Sequence, residues 1–243
     1  MSAFALKLIA LISMLVDHIG GTFPQYFGTE FRVIGRIAFP IFVFLVAEGF
    51  RHTKSPVKFL TRLFVFAIIS EPFYDMALRG ATSFSEVNFL ANTNIFYTLF
   101  LGGLAITIHK WANQQQIVVK ILATVVPLLA CMWIANRLTT DYGAIGVLLI
   151  FMLFWVKHKG VRLAVLAVLS LRQFEWIFRR VMDFGVDGIL DIMWWMLIPA
   201  TLVGVLLVAF YNGKRGRGLK WFFYVAYPAH LAILAAISIL FVQ

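Results

Sequence analysis

Apolar residues fall into nine long runs, at roughly 4–22, 33–50, 60–78, 94–112, 117–136, 142–158, 161–178, 189–211 and 221–242, separated by short polar stretches. A helix of about 20 apolar residues spans the hydrocarbon core of a bilayer. Inside lipid every backbone N–H and C=O needs a partner within the protein, so runs of this length predict helices. The pattern predicts an all-α, polytopic transmembrane bundle of about nine spans in one domain covering 1–243, with no room for a second. The seventh run is the weakest, because Arg172 and Glu175 interrupt it. If it does not cross, the orientation of everything after it inverts. The first run lacks a small-residue cleavage pattern and carries Asp17 and His18 late, so it reads as a retained span and not a signal peptide.

Composition agrees with the pattern. Of 243 residues, 62% are apolar and 13% charged, where a soluble domain has about a quarter charged. The net charge of +10 would suggest nucleic acid as partner for a soluble chain. Here the basic residues gather in alternate loops: Arg51, Lys54, Lys58 and Arg62; Lys110 and Lys120; Lys157, Lys159 and Arg162; Lys214, Arg215, Arg217 and Lys220. Acids collect at the other ends: Glu30, Asp75, Glu86, Asp141, Asp183, Asp187 and Asp191. By the positive-inside rule the basic loops and the N-terminus face the cytoplasm, which places the chain in the plasma (inner) membrane with lipids as its surroundings and no nucleic acid as partner. Cys131 is the only cysteine, so no disulfide framework exists. No CxxC, HExxH or calcium-loop pattern points to a metal.

Ionisable residues inside lipid are costly and mark candidate sites. They are Asp17 and His18 in the first run, Arg36 in the second, Glu71 in the third and His230 in the last. Lys7 and His18 are eleven residues apart, nearly on one helix face and about 16 Å apart along the axis. That is the reach of a pantetheine arm, with a cation for phosphates at one end and a titratable base at the other. The alternative is an anchoring lysine and a histidine buried in the bundle. Asp17, adjacent in sequence, points about 100° away and does not orient the imidazole directly.

Arg36 precedes Pro40 by four residues, so its carbonyl lacks a helical partner and a kink is expected; Asp17 and Glu71 are its candidate ion-pair partners. Glu48 is expected to pair with Arg51 and His52 at the inner end. Glu71-Pro72 is expected to break the third helix and line a cavity. Asn94, Tyr97 and Thr98 lie at helical spacing, either as donors to a substrate or as glue between helices, while Gly102, Gly103, Gly143 and Gly146 suit close helix approach. His230 reads equally as a second base, a substrate contact or a structural donor. Asp183, Asp187 and Asp191, spaced by four, are either an attractor for a cationic amine or a solvated loop end.

The stretches LKLIALISMLVDHIG (6–20), GRIAFPIFVFLVAEG (35–49), RLFVFAIISEPF (62–73), NIFYTLFLG (94–102), DYGAIGVLLI (141–150) and YPAHLAILAAISI (227–239) resemble, in order, the TraX family. Its namesake N-acetylates the amino terminus of pilin, and the family is similar to the wider membrane acyltransferases. Many of those carry an arginine, ten residues and a histidine in the first span; here Lys7 and His18 take those places, and lysine keeps the charge without the bidentate fork. The resemblance implies transfer of an acyl group, acetyl in the namesake, from acetyl-CoA to a peptide or pilin N-terminus or to a saccharide hydroxyl. His18 would be general base, with Asp17 beside it. Lys7 would bind acyl-CoA. Arg36, Glu71, Asn94, Tyr97 and His230 are the candidate substrate contacts because they are polar residues inside lipid, within stretches that match the family. A proton-coupled transporter is the rival reading, with Asp17, His18, Arg36 and Glu71 as a relay, and a non-enzymatic assembly scaffold ranks third.

Overall fold

The computed structural model describes residues 1–172, 174, 182 and 192–241. Among them there is no strand, and ten α-helices follow the apolar runs: α1 (Ala3–Thr22), α2 (Pro24–Gly35), α3 (Ala38–His52), α4 (Pro56–Leu78), α5 (Ile95–Ala112), α6 (Ile117–Arg137), α7 (Gly143–Trp155), α8 (Lys159–Arg172), α9 (Ile192–Ala209) and α10 (Lys220–Phe241). Among the described residues five stretches are long and apolar enough to cross a bilayer: Ala3–Thr22, Thr29–His52, Ile95–Ala112, Ile117–Arg137 and Lys220–Leu240. Glu175, Asp183, Asp187 and Asp191, part of the seventh run and the acidic stripe, lie outside the described residues.

α3 is the hub. It packs against α1, α5, α7, α8 and α9, and Ile41, Val43, Ala47 and Phe50 are fully buried along it. α6 is the opposite case. It packs on α5 and α7 but buries only Cys131 and Ala135, leaving Ile117, Ile121, Leu122, Val126 and Leu129 more than half exposed. Such a face is unstable in water and at home against lipid chains. The close approaches expected at glycines occur between α5 and α7, where a Cβ on Gly102 would meet Ile150 at 2.9 Å and one on Gly146 would meet Thr98 at 2.6 Å.

The second run is two helices, not one. Pro40 offers no amide to the Arg36 carbonyl, and the Arg36 and Ile37 amides bond back three residues, to Val33 at 3.1 Å and Ile34 at 3.3 Å. The chain tightens there and separates α2 from α3. α2 begins with Pro24, whose missing N–H costs nothing at a helix start, and runs antiparallel along the end of α1. The expected break at Glu71-Pro72 does not occur: α4 continues through Pro72 to Leu78. Pro72 forfeits a single backbone bond, and burial of Ser70, Glu71, Asp75, Met76 and Ala77 around it holds the helix together.

The basic ends are tied together by backbone. Ala3 and Phe4 donate to the carbonyls of Lys214 (2.8 Å) and Arg215 (3.1 Å), so the loop before α10 lies over the N-terminus. Gly216, at φ +71°, makes that turn, with the space beside its Cα filled by Phe4 and Ser2. Arg51 Nη2 caps the end of α7, donating to the carbonyls of Leu153 (3.0 Å), Phe154 (2.7 Å) and Val156, the favourable end of a helix for a cation. Glu48 therefore pairs with His52 (3.1 Å) and Arg162 (3.0 Å), not with Arg51 as expected.

Candidate active site

Three polar groups lie at the ends of α1 and α4 away from the basic loops. In the first, the Asp17 carboxylate accepts from Arg36 Nη2 at 2.8 Å and Arg32 Nη1 at 3.1 Å. Arg36 Nη1 also donates to the Tyr142 hydroxyl at 3.4 Å, and the Tyr142 ring stacks on Phe39 at 3.5 Å. Gly35 makes the space: a Cβ there would lie 2.1 Å from Asp17 Oδ1. Asp17 is thus the anion between two arginines, and no hydrogen bond joins it to His18.

The second group is a histidine pair. His18 is 7% exposed. Its Nδ1 lies 2.7 Å from His230 Nε2, and His230 Nδ1 lies 2.7 Å from the Ala226 carbonyl oxygen. A carbonyl only accepts, so His230 Nδ1 carries a proton. In the neutral ring Nε2 is then the acceptor, and His18 Nδ1–H donates to it. The chain of partners leaves His18 Nε2 as a bare lone pair. Tyr227 sets its ring edge-on to both imidazoles, with centroids 5.8 Å from His18 and 5.5 Å from His230.

The third group is centred on Glu71, which is fully buried. Its Oε2 accepts from the Asn94 amide at 3.1 Å and Asn94 Nδ2 at 2.6 Å. Asn94 also donates to the Ala67 carbonyl at 2.9 Å and caps α5 through the Phe96 amide at 2.9 Å. Thr98 donates its hydroxyl proton to the Asp141 carbonyl and accepts from Thr140 Oγ1 at 2.8 Å. The polar atoms of Asn94 and Thr98 are committed within the protein, and Tyr97 is 8% exposed. Asn94 and Glu71 therefore join α4 to α5. Arg36 pairs with Asp17 and not with Glu71.

A cavity of about 610 Å³ opens among α1, α3, α4, α5 and α10. Lys7, Arg62, Arg215, Arg217 and Lys220 line it at the basic end, and Glu48, already paired twice, is the one carboxylate in the lining. Leu45, Leu63, Leu99 and Phe223 give it apolar walls; Lys7 Nζ stands 5.4 Å above the Phe223 ring. Its far end reaches Met14, one helical turn before His18, and Tyr227. His18 itself is outside the lining, in ring contact with Tyr227, which is part of it. Lys7 and the neighbourhood of His18 are therefore joined by one cavity. Arg32 leaves no signal in the sequence; Tyr142 is legible only as a residue of the outer rim and Tyr227 only as a mid-span neighbour of His230, three residues before it on one helix face, and neither is assigned to the site by pattern alone.

A basic-mouthed cavity leading to a buried histidine pair, within helices suited to lipid, defines a helical membrane protein with an internal polar site. The chain belongs to the TraX protein family, whose model matches residues 2–238. It is 28% identical over 250 residues to the probable fimbrial assembly protein FimC, serogroup H1, of Dichelobacter nodosus, covering 97% of this chain and 95% of that one. It is 27% identical over 159 residues to the uncharacterized protein RP591 of Rickettsia prowazekii (strain Madrid E), covering 65% and 57% of the two chains. No solved structure matches it significantly.

Proposed function

We propose that the protein is an inner-membrane acyltransferase that moves acetyl from acetyl-CoA to an acceptor amine, of the kind a pilin N-terminus offers, or to a hydroxyl. The chain would cross nine times, with the N-terminus and basic loops in the cytoplasm and α10 ending outside. The observation that carries this reading is the cavity: five cations at its mouth, apolar walls, and at its inner end a tyrosine backed by an imidazole whose Nε2 is unoccupied. The nucleotide phosphates of the donor suit the cations, and about 16 Å of helix from Lys7 to His18 suits the pantetheine arm.

In the reaction the acceptor nitrogen or oxygen attacks the thioester carbonyl while His18 Nε2 takes its proton. The new C–N or C–O bond forms as the C–S bond breaks, and the proton passes from Nε2 to the departing thiolate, leaving acetylated acceptor and CoA thiol. His230 receives the Nδ1–H of His18 throughout, and the imidazolium formed on the way keeps that bond. For the carbonyl to meet Nε2 the Tyr227 ring turns aside. Asp17, Arg32 and Arg36 act by fixing α1 against α2, which sets the height of His18. The Dichelobacter nodosus relative is a probable fimbrial assembly protein, which favours an acceptor among surface-fibre subunits.

A proton-coupled transporter is the second reading, favoured by the His18–His230 bond as a proton-passing element. Mass spectrometry of envelope proteins from cells lacking this protein separates the two. The acyltransferase reading expects an acetylated species that disappears without the protein, returns with the wild type and stays absent with His18→Ala expressed at equal level. No change in acetylation, with pH-driven solute uptake into vesicles carrying the protein, would establish the transporter instead.

A further inference from the structure

The basic ends of α3, α5, α6 and α7 enclose a second cleft, of about 400 Å³, away from the cavity at α1 and α10. Arg51, His109, Lys110, Lys120 and Lys157 line it, together with Trp155, and no carboxylate does. We propose that this cleft binds the headgroup of an anionic phospholipid.

Positive-inside bias requires only that loop cations be present. It does not require cations from four elements far apart in sequence to converge on one hollow without a counter-charge. Their protons are not all in use. Lys110 spends one on the Phe50 carbonyl at 3.1 Å, and an ammonium has three. Arg51 donates to the end of α7 through Nη2 alone, and its Nη1 makes no hydrogen bond among the described residues. Four Lys and Arg side chains with free donors fit a phosphodiester, and basic pockets between helices at this depth take lipid phosphates.

The surroundings favour a lipid over a free phosphate. Lys120 lies on the first turn of α6, the helix that buries only Cys131 and Ala135. Just beyond it Ile121 and Leu122 are 54% and 57% exposed, so acyl chains descending from the cleft would lie along α6. Trp155 in the cleft and Trp111 beside it are 58% and 55% exposed, as indoles are at the headgroup level.

The test counts lipids retained by the purified protein in native mass spectrometry, after reconstitution in phosphatidylcholine containing phosphatidylglycerol. Wild type is expected to keep phosphatidylglycerol in at least roughly ten-fold preference over phosphatidylcholine, a modest demand for four cations each favouring anionic lipid. Lys120→Gln with Lys157→Gln, neither of which makes a structural hydrogen bond among the described residues, should abolish the preference. Lys54→Gln with Lys58→Gln, an equal loss of loop charge outside the cleft, should keep it. Equal behaviour of the two double variants, whether both keep or both lose the preference, would overturn the cleft as a site. Displacement by soluble glycerophosphate as effective as by added lipid would overturn the lipid and assign a free phosphate. None of these outcomes depends on acetyl transfer.

Discussion

His18 and His230 share a side chain but not a role, because one of them abuts a backbone carbonyl. Ala226 holds the proton on His230 Nδ1, and that choice propagates through a 2.7 Å bond to free Nε2 of His18. His230 is therefore a positioning residue. His230→Phe should lower transfer by roughly 10²-fold or more, within the range general-base catalysis contributes, while acetyl-CoA binding stays unchanged. His230→Gln, which restores an acceptor near the ε position, should recover part of the rate, and steady-state kinetics with separate kcat and KM check both. Asp141, in the loop between α6 and α7, offers a second test. Its poorly solvated setting pushes the carboxyl up to about 6. A raised carboxyl means the folded protein holds a proton that the unfolded chain has already lost between about pH 4 and 6, so Asp141 costs stability as pH rises through that window. Asp141→Asn should gain Tm relative to wild type as pH goes from 5 to 7, with the difference shrinking below pH 4.

Elements were legible wherever a single signal governed them. Among the described residues the helices follow the apolar runs within a few residues, the second run being divided between α2 and α3, and Pro40 signalled the break at Arg36. Two features went unread. α2 starts nine residues before the second run because its own pattern is mixed: Gln25, Thr29, Glu30 and Arg32 interrupt the apolar positions, and the helix exists by packing on α1. Pro72 predicts a break by pattern, but a proline removes one bond and the buried turn around it supplies enough packing to continue. The α1–α2 contact is where the site is most sensitive. Gly35→Ala puts a methyl into the Asp17 carboxylate, and overpacking of this kind costs about 1–3 kcal/mol. Asp17→Ala leaves Arg32 and Arg36 facing each other without an anion and should cost about 3–5 kcal/mol, the usual result of removing one partner from a buried pair. Thermal unfolding in detergent should show the second loss exceeding the first.

Over the whole molecule the sequence carried the membrane class and the buried charges, and it placed Lys7 and His18 on one face of α1. It did not carry the pairing. Whether Arg36 met Asp17, 19 residues away, or Glu71, and whether His230 met His18, 212 residues away, depended on tertiary contacts that no local pattern encodes. The nine-span topology is open to test with cysteines in a Cys131→Ser background. Replacements at Lys54 and Lys214 should react with an impermeant maleimide only after the cytoplasmic side is exposed, and one at Ser85 should react from outside intact inner membranes. The central claim is chemical, and release of CoA thiol from acetyl-CoA by the purified protein in nanodiscs, with an amine acceptor present, tests it most directly. Turnover by wild type is expected, with a fall of roughly 10²-fold or more in His18→Ala and donor affinity retained; equal turnover by the two proteins, or failure of both to bind the donor, would rule out His18-dependent acetyl transfer.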